Sequence, residues 1–397
     1  MNHHTDLVIR MAFASLRGIN RVLAGELLSR TGEERTFFDM SERQLASVMG
    51  FGSHLFDAGY RGTLLEKAAA ESDFVQSSGI RTLYFTDADY PVRLADADDA
   101  PLMLFTLGNH DFNSGRTVGI VGTRHATPYG IDFVNRLVSG LSTAMAEPLT
   151  TVSGLAFGID AAAHAASLKA QVPTVGVLAH GLNMIYPAQH RSMAADIVHR
   201  GGALITEYGS RSPVHKGNFV ARNRIVAALC DCLIVAESAE KGGALITARL
   251  ASGYNRDVFA LPGRTSDPYS AGCNMLIKRN VAALVTDASD VMEAMNWPAR
   301  QTDGVQRELF VELSAEEQAV SDYLTEHGEA QVNQLAIALN MNAGRMVSLL
   351  IDMEFKGLVL ASCWRFPAVN TVWPDPTAAI VCFIDIPKFK AIWKRKK

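Results

Sequence analysis

The run Thr117-Val118-Gly119-Ile120-Val121-Gly122-Thr123-Arg124 is apolar until it ends on glycine, threonine and arginine, and a helix signal opens near Pro128. The same layout recurs downstream in Leu149–Gly154, Thr174–Ala179, Ala203–Tyr208, Cys232–Glu237, Val258–Gly263 and Ala282–Asp287. Strand runs that are polar on neither face and are separated by helical stretches specify a parallel sheet covered on both sides. The reading is therefore an α/β, doubly wound parallel sheet, with Leu102–Leu107 as a further buried strand at its start.

In such sheets ligands bind outside the C-terminal ends of the strands, where loop amides and helix N-termini face an anion. Gly122, Thr123 and Arg124 stand at that mouth. The spacing of Gly119 and Gly122 fails G-x-G-x-x-G, so no dinucleotide cofactor is indicated. Taken alone, this turn also fits an arginine paired at the surface.

Three more openings follow the same logic. Ser153-Gly154-Leu155-Ala156-Phe157-Gly158-Ile159-Asp160 combines small residues with a helix start. Asp160 and His164, one helical turn apart, suit an acid/base pair, but no nucleophile accompanies them, and the preferred reading is a helix cap and a packed histidine. Gly242-Gly243-Ala244-Leu245-Ile246-Thr247 is another glycine-led helix start, with Thr247 able to donate to a phosphate, and Pro262-Gly263-Arg264 closes the next strand. Together the four openings describe an anion-lined crevice on one sheet edge.

The most informative stretch is Tyr208–Arg224, which carries Arg211, His215, Lys216, Arg222 and Arg224 and no acidic residue. The chain as a whole is acidic, with net charge -4, so a nucleic-acid contact has to come from a local patch such as this one. Lys216 and Phe219 lie in the lead-in to a helix holding Arg222-Asn223-Arg224. An aromatic face among cations is what a single strand requires, a surface for a base and charges for its backbone. The competing reading buries Phe219 and pairs the arginines with Glu207 or Glu237. Binding is preferred because the cluster falls at a strand C-terminal end.

Around this domain the chain changes character. Residues 1–78 read as short helices broken by glycines (Gly18–Thr31, Ser41–Met49, Leu55–Ala70), a module similar to helix-hairpin-helix or SAM-like units. Either a phosphate contact or plain packing fits it. The main domain spans 79–297 and a polar linker 298–313. In 314–375, Ser314-Ala315-Glu316-Glu317 is a capping box opening the first of three helices, with a hairpin from Gly357 through Phe366, a winged-helix pattern. Its third helix, Asn342–Lys356, offers only Arg345 and Lys356 against Asp352 and Glu354, which favours protein contact or packing over duplex binding. The tail 376–397 holds an apolar piece, Ala379–Ile384, and the basic end Lys394–Lys397.

At 397 residues, 48% hydrophobic and 20% charged, the chain exceeds a single core, which stops growing at roughly 250–300 residues. No apolar stretch reaches bilayer length and the N-terminus lacks a secretion layout, so a cytoplasmic location is expected. Cys230, Cys232, Cys273, Cys363 and Cys382 form no C-x-x-C pair, consistent with reduced thiols and no metal.

The ordered series Gly122-Thr123-Arg124, Ser153–Asp160, Gly181-Leu182 with Tyr186-Pro187, Phe219 with Arg222-Asn223-Arg224, Gly243–Ala248, and Pro262-Gly263 with Gly272 and Asn274 closely resembles the DprA/Smf (DNA-processing protein A) family across residues 80–297. The resemblance implies a Rossmann-like domain without catalysis that binds incoming single-stranded DNA during natural transformation. It further implies a protein that loads RecA, meets single-strand-binding protein and acts as a homodimer. By motif match, Gly122, Thr123, Arg124, Ser153, Gly154, Lys216, Phe219, Arg222, Asn223, Arg224, Gly243 and Thr247 would line the strand site, and Asn274, Leu276, Ile277 and Leu284 the dimer contact. His180, Ala188 and Val220 depart from the family pattern.

Two rivals remain open. A nucleotide-cleaving phosphoribohydrolase-like enzyme on the same fold would need a glutamate beside a glycine-rich turn, and Glu237 is the candidate, although the preferred reading is that it neutralises an arginine of the 222–224 run. A duplex-binding regulator would act through the winged helix.

Overall fold

The computed structural model describes residues 3–300, 313–327, 329–356, 358–363 and 382–385. They form two compact units, 1–302 and 303–397. No helix among the described residues is long and apolar enough to cross a membrane.

The first unit is built on a nine-stranded sheet. Its strands are β1 (Arg81–Tyr84), β2 (Met103–Leu107), β3 (Arg116–Val121), β4 (Leu149–Ser153), β5 (Thr174–Val177), β6 (Ala203–Thr206), β7 (Cys232–Val235), β8 (Asp257–Ala260) and β9 (Ala283–Leu284). The order is β1-β2-β6-β5-β4-β3-β7-β8-β9. From β6 to β9 every pair is parallel, whereas β2 runs antiparallel to both β1 and β6, so the sheet is mixed, with a parallel body and an antiparallel edge. The chain leaves β3 toward β4 and leaves β7 toward β8, in opposite directions, which places the topological switch point between β3 and β7.

Strand residues alternate between two cores. Val118 and Ile120 of β3 meet Phe133, Leu137 and Leu141 of helix Pro128–Ala144, while Val121 meets Val226 and Leu229 of helix Lys216–Leu229. Each of these side chains is nearly sealed from water, worth about 1.5–3 kcal/mol apiece relative to exposure. Helices on both faces and period-two alternation account for the near-continuous apolar runs of the sequence.

Five helices, His3–Ala14, Arg21–Thr31, Glu34–Asp39, Glu42–Met49 and Ala58–Ser77, make the N-terminal module. Its core of Phe13, Leu27, Phe37, Leu45 and Phe56 continues into Tyr84, Met103 and Phe105, so the module packs on the antiparallel edge of the sheet. Arg61 is buried at its centre and donates to the carbonyls of Phe37, Phe38 and Phe56. The glycine-led junction at Gly18-Ile19-Asn20 ends in an N-cap, the Asn20 side chain accepting from the Leu23 amide.

The second unit has helices Ala315–His327, Val332–Ala338 and Ala343–Phe355 and an antiparallel sheet ordered β10 (Glu329–Gln331), β12 (Cys382–Asp385), β11 (Leu360–Cys363). Ser314 and Glu317 exchange the capping-box bonds, and Arg345 of the third helix and Lys356, its C-cap, pair with Glu316 and Glu317 of the first. Leu360–Cys363, within the segment expected to form a hairpin, pairs with Cys382–Asp385 from the apolar tail piece. Residues 364–366 lie outside the described residues, as does the basic end of the tail.

A candidate nucleic-acid interface at the sheet edge

The loops after β3, β4 and β7 are braced on one another by backbone. The Thr123 amide donates to the Glu237 carbonyl (2.7 Å) and the Ile159 amide to the Thr123 carbonyl (3.1 Å). This closeness depends on glycine. A Cβ on Gly122 would fall 2.5 Å from Ile159 Cγ1, and one on Gly158, at φ +77°, 2.2 Å from the Thr123 carbonyl oxygen. The mouth of the sheet is thus a fixed surface.

Beneath it lies a buried brace. Arg222, only 4% exposed, donates from Nη1 to the carbonyl oxygens of Gly154 (2.6 Å) and Val177. A Cβ on Gly154 would occupy the guanidinium's place, 2.2 Å from Nη1. Asp160 Oδ2 accepts from the amides of Gly154 (3.2 Å) and Ala156 (3.4 Å). Burial pushes the Asp160 carboxyl up and the Arg222 guanidinium down, and each favours the charged form of the other. His164 is fully buried with Nδ1 against Thr174 Oγ1, and burial lowers its pKa to about 3. It is a packed histidine, as anticipated; Asp160 holds the turn before its helix, whose N-cap is Gly158.

The structure therefore sorts the candidate residues. Arg222 faces inward because it occupies the buried stripe of its helix with Asn218, Ile225, Val226 and Leu229. Arg224 turns to the N-terminal side, where it pairs with Glu207 and with Asp99. The Ser153 hydroxyl is spent on the Ile120 carbonyl, the Gly154 amide on Asp160, and the Thr247 side chain is buried, so none of these three groups is presented to an incoming phosphate. Asn223 is half-buried and Gly243 exposed, the latter as N-cap of helix Ala244–Gly253.

At the surface remain Arg124, Lys216 and Phe219. Helix Lys216–Leu229 starts at Lys216 itself, so Lys216 and Phe219 sit three apart on its first turn, not in a lead-in. Arg124 Cζ stands 6.0 Å from the centroid of the half-buried Phe219 ring. Arg124 and Lys216 are exposed and have no ion-pair partner among the described residues.

Two aromatic side chains join them that the residue reading had not assigned to the site. Tyr186, 52% exposed, meets Phe219 edge-on at 5.6 Å, and Phe157, 44% exposed, packs on His190 at 5.0 Å. The departure at His180 explains how Tyr186 is held: His180 is buried, its Nε2 accepts from the Tyr186 amide (3.2 Å), and Nδ1 therefore carries the proton donated to the Gly181 carbonyl. The signal for Tyr186 was an aromatic before proline in a loop at a strand C-terminal end.

Glu237 does not neutralise the 222–224 run. Its carboxylate is buried and accepts from the Thr127 amide (2.8 Å) and hydroxyl (2.6 Å), holding in place the N-cap residue of helix Pro128–Ala144, a negative charge at a helix N-terminus. Of the proposed dimer residues, Leu276 is core and Asn274 clamps Gly263 through both amide atoms, while Leu284 is 50% exposed and Ile277 half-buried.

A parallel-dominated α/β sheet whose switch-point edge carries unpaired cations beside an accessible aromatic defines a Rossmann-like protein suited to holding an anionic, base-bearing ligand. Residues 81–296 match the family described as DNA recombination-mediator protein A. The chain is 38% identical over 221 residues to the DNA processing protein DprA of Bacillus subtilis, spanning 55% of this chain and 73% of the relative. It is 32% identical over 276 residues to the protein Smf of Escherichia coli, spanning 68% and 73%. The X-ray structure of DprA from Streptococcus pneumoniae superposes with a TM-score of 0.56 at 30% identity, over 73% of this chain and 97% of that one. The chain belongs to the DprA/Smf family.

Proposed function

We propose that this chain captures single-stranded DNA along the C-terminal edge of its parallel sheet, Arg124 and Lys216 tracking phosphates and Phe219, backed by Tyr186, stacking a base. The observation that carries the reading is the exposed Arg124 guanidinium set 6.0 Å from an accessible Phe219 ring. The buried Arg222 is consumed by carbonyls and the half-buried Arg224 by carboxylates, whereas these two surface cations are left for a ligand. Base–aromatic stacking tolerates any sequence, and a flexible strand can follow a curved edge that a duplex cannot.

In this reading the protein is a recombination mediator without catalysis, acting in the cytoplasm as a homodimer that hands its strand to RecA in the presence of single-strand-binding protein. Kinship to DNA-processing relatives supports that role. The dimer would use Leu284, which is exposed, with the half-buried Ile277. The three-helix second unit is a winged-helix-like module for protein contact, since both cations of its third helix are already paired. Fluorescence anisotropy with a labelled single strand and the matching duplex tests the proposal. Arg124→Ala and Phe219→Ala should each weaken single-strand binding about tenfold, from roughly 1–3 kcal/mol per stacked base or lost phosphate contact. Unchanged affinity in both variants overturns it.

A further inference from the structure

The sheet edge carries a further aromatic pair, on the other side of Arg124 from Phe219. His125 and Tyr269 face each other with ring centroids 6.2 Å apart and planes at 27°. His125 is exposed and Tyr269 half-buried, and among the described residues neither the imidazole nitrogens nor the phenol hydroxyl has a hydrogen-bond partner. Rings whose polar atoms face water, stacked on each other outside the core, are not explained by packing.

The pair is held in place from behind. The Ser238 amide donates to the Tyr269 carbonyl (2.6 Å), the Gly272 amide to the Ser238 carbonyl (2.8 Å), and the Tyr129 hydroxyl to the Pro262 carbonyl (2.7 Å). The loop after β8 is thereby bound to the loop after β7 and to the first turn of helix Pro128–Ala144, and the His125 amide is fixed by Thr123 Oγ1 (3.2 Å). Arg264 in the same loop is exposed and has no ion-pair partner among the described residues, with Asp267, also exposed, offsetting part of its charge.

Because Arg124 leans toward Phe219 on the β6 side and His125 toward Tyr269 on the β8 side, consecutive residues of one turn serve opposite halves of the edge. We infer that His125 and Tyr269, with Arg264, form a second base-stacking station for the same single strand, which extends past the switch point toward β8. The inference rests on the reading of this edge as a single-strand site and adds to it a longer footprint and a path.

Anisotropy with oligothymidylates of increasing length, on the full chain, separates the two. For the native protein, affinity should keep rising after the oligomer is long enough to fill the Arg124–Phe219 station. His125→Ala with Tyr269→Ala should abolish that later rise, weakening long oligomers roughly tenfold while leaving the shortest bound oligomer unchanged. His125→Phe, which keeps a stacking face, should restore it. Arg264→Gln should lower the salt slope for long oligomers only, by about 0.7. The inference is overturned if the double alanine variant matches the native protein at every length, or weakens all lengths equally. Absence of binding by the native protein at any length overturns the single-strand site itself, and the second station with it.

Discussion

Replacing Arg222 with alanine should harm folding before it harms DNA binding, and the size of the effect follows from what the guanidinium touches. It is 4% exposed and donates to the Gly154 and Val177 carbonyls. Hydrogen bonds to a charged group contribute roughly 1.5–3 kcal/mol each, and the change also leaves the buried Asp160 carboxylate without its compensating charge. Breaking such an arrangement from one side costs about 3–5 kcal/mol. Urea unfolding followed by circular dichroism should show the midpoint falling with an unchanged slope. Acidification should narrow the gap between variant and native protein. Burial raises the folded pKa of Asp160 above its unfolded value, so its ionised form destabilises the fold at neutral pH, and protonation as pH falls relieves that cost, more so once Arg222 is gone. Asp160→Asn in the Arg222→Ala background should recover part of the loss. A destabilisation below about 1 kcal/mol would refute the reasoning.

Gly158→Ala forces a side chain into φ +77° and onto the Thr123 carbonyl; thermal unfolding should register a loss of more than about 1 kcal/mol. His164 stays neutral in the fold until pH about 3, so the native protein should lose stability as pH drops below about 6.5, by up to about 1.4 kcal/mol per unit, a dependence that His164→Gln should flatten in urea titrations at pH 7.5 and 5. Glu237→Ala removes the carboxylate that accepts from Thr127, the N-cap of helix Pro128–Ala144, and should cost roughly 1–2 kcal/mol, and binding to single strands at full occupancy of the folded state should be unaffected.

The parallel body of the fold was legible because its strands are buried on both faces and carry no polar alternation to confuse with anything else. β1 was not, since Arg81-Thr82-Leu83-Tyr84 is short and half-exposed and takes its strand identity from pairing with β2. The direction of β2 was equally hidden, because an antiparallel edge strand and a parallel one share one apolar pattern. The pairing of Leu360–Cys363 with Cys382–Asp385 joins segments far apart in sequence, which no local signal records.

Within the site, position was easier to read than orientation. Turns at strand ends located Arg124, Lys216 and Phe219, but Arg222 and Arg224 look equivalent in a basic run. The distinction was present in the helical spacing: Asn218, Arg222, Ile225, Val226 and Leu229 fall on one stripe, and the arginine on an apolar stripe is the one that goes inside. Glu237 was misread because its partner, the Thr127 amide and hydroxyl, belongs to a turn distant in sequence that the sheet order brings alongside.

The salt dependence of single-strand affinity tests the central claim most directly. Each phosphate neutralised by a cation contributes about -0.7 to the slope of log affinity against log salt concentration, so Arg124→Ala with Lys216→Ala should make the slope shallower by about 1.4 while leaving thermal stability unchanged. A slope identical to that of the native protein would mean that these two cations touch no phosphate and that the strand, if bound, lies elsewhere.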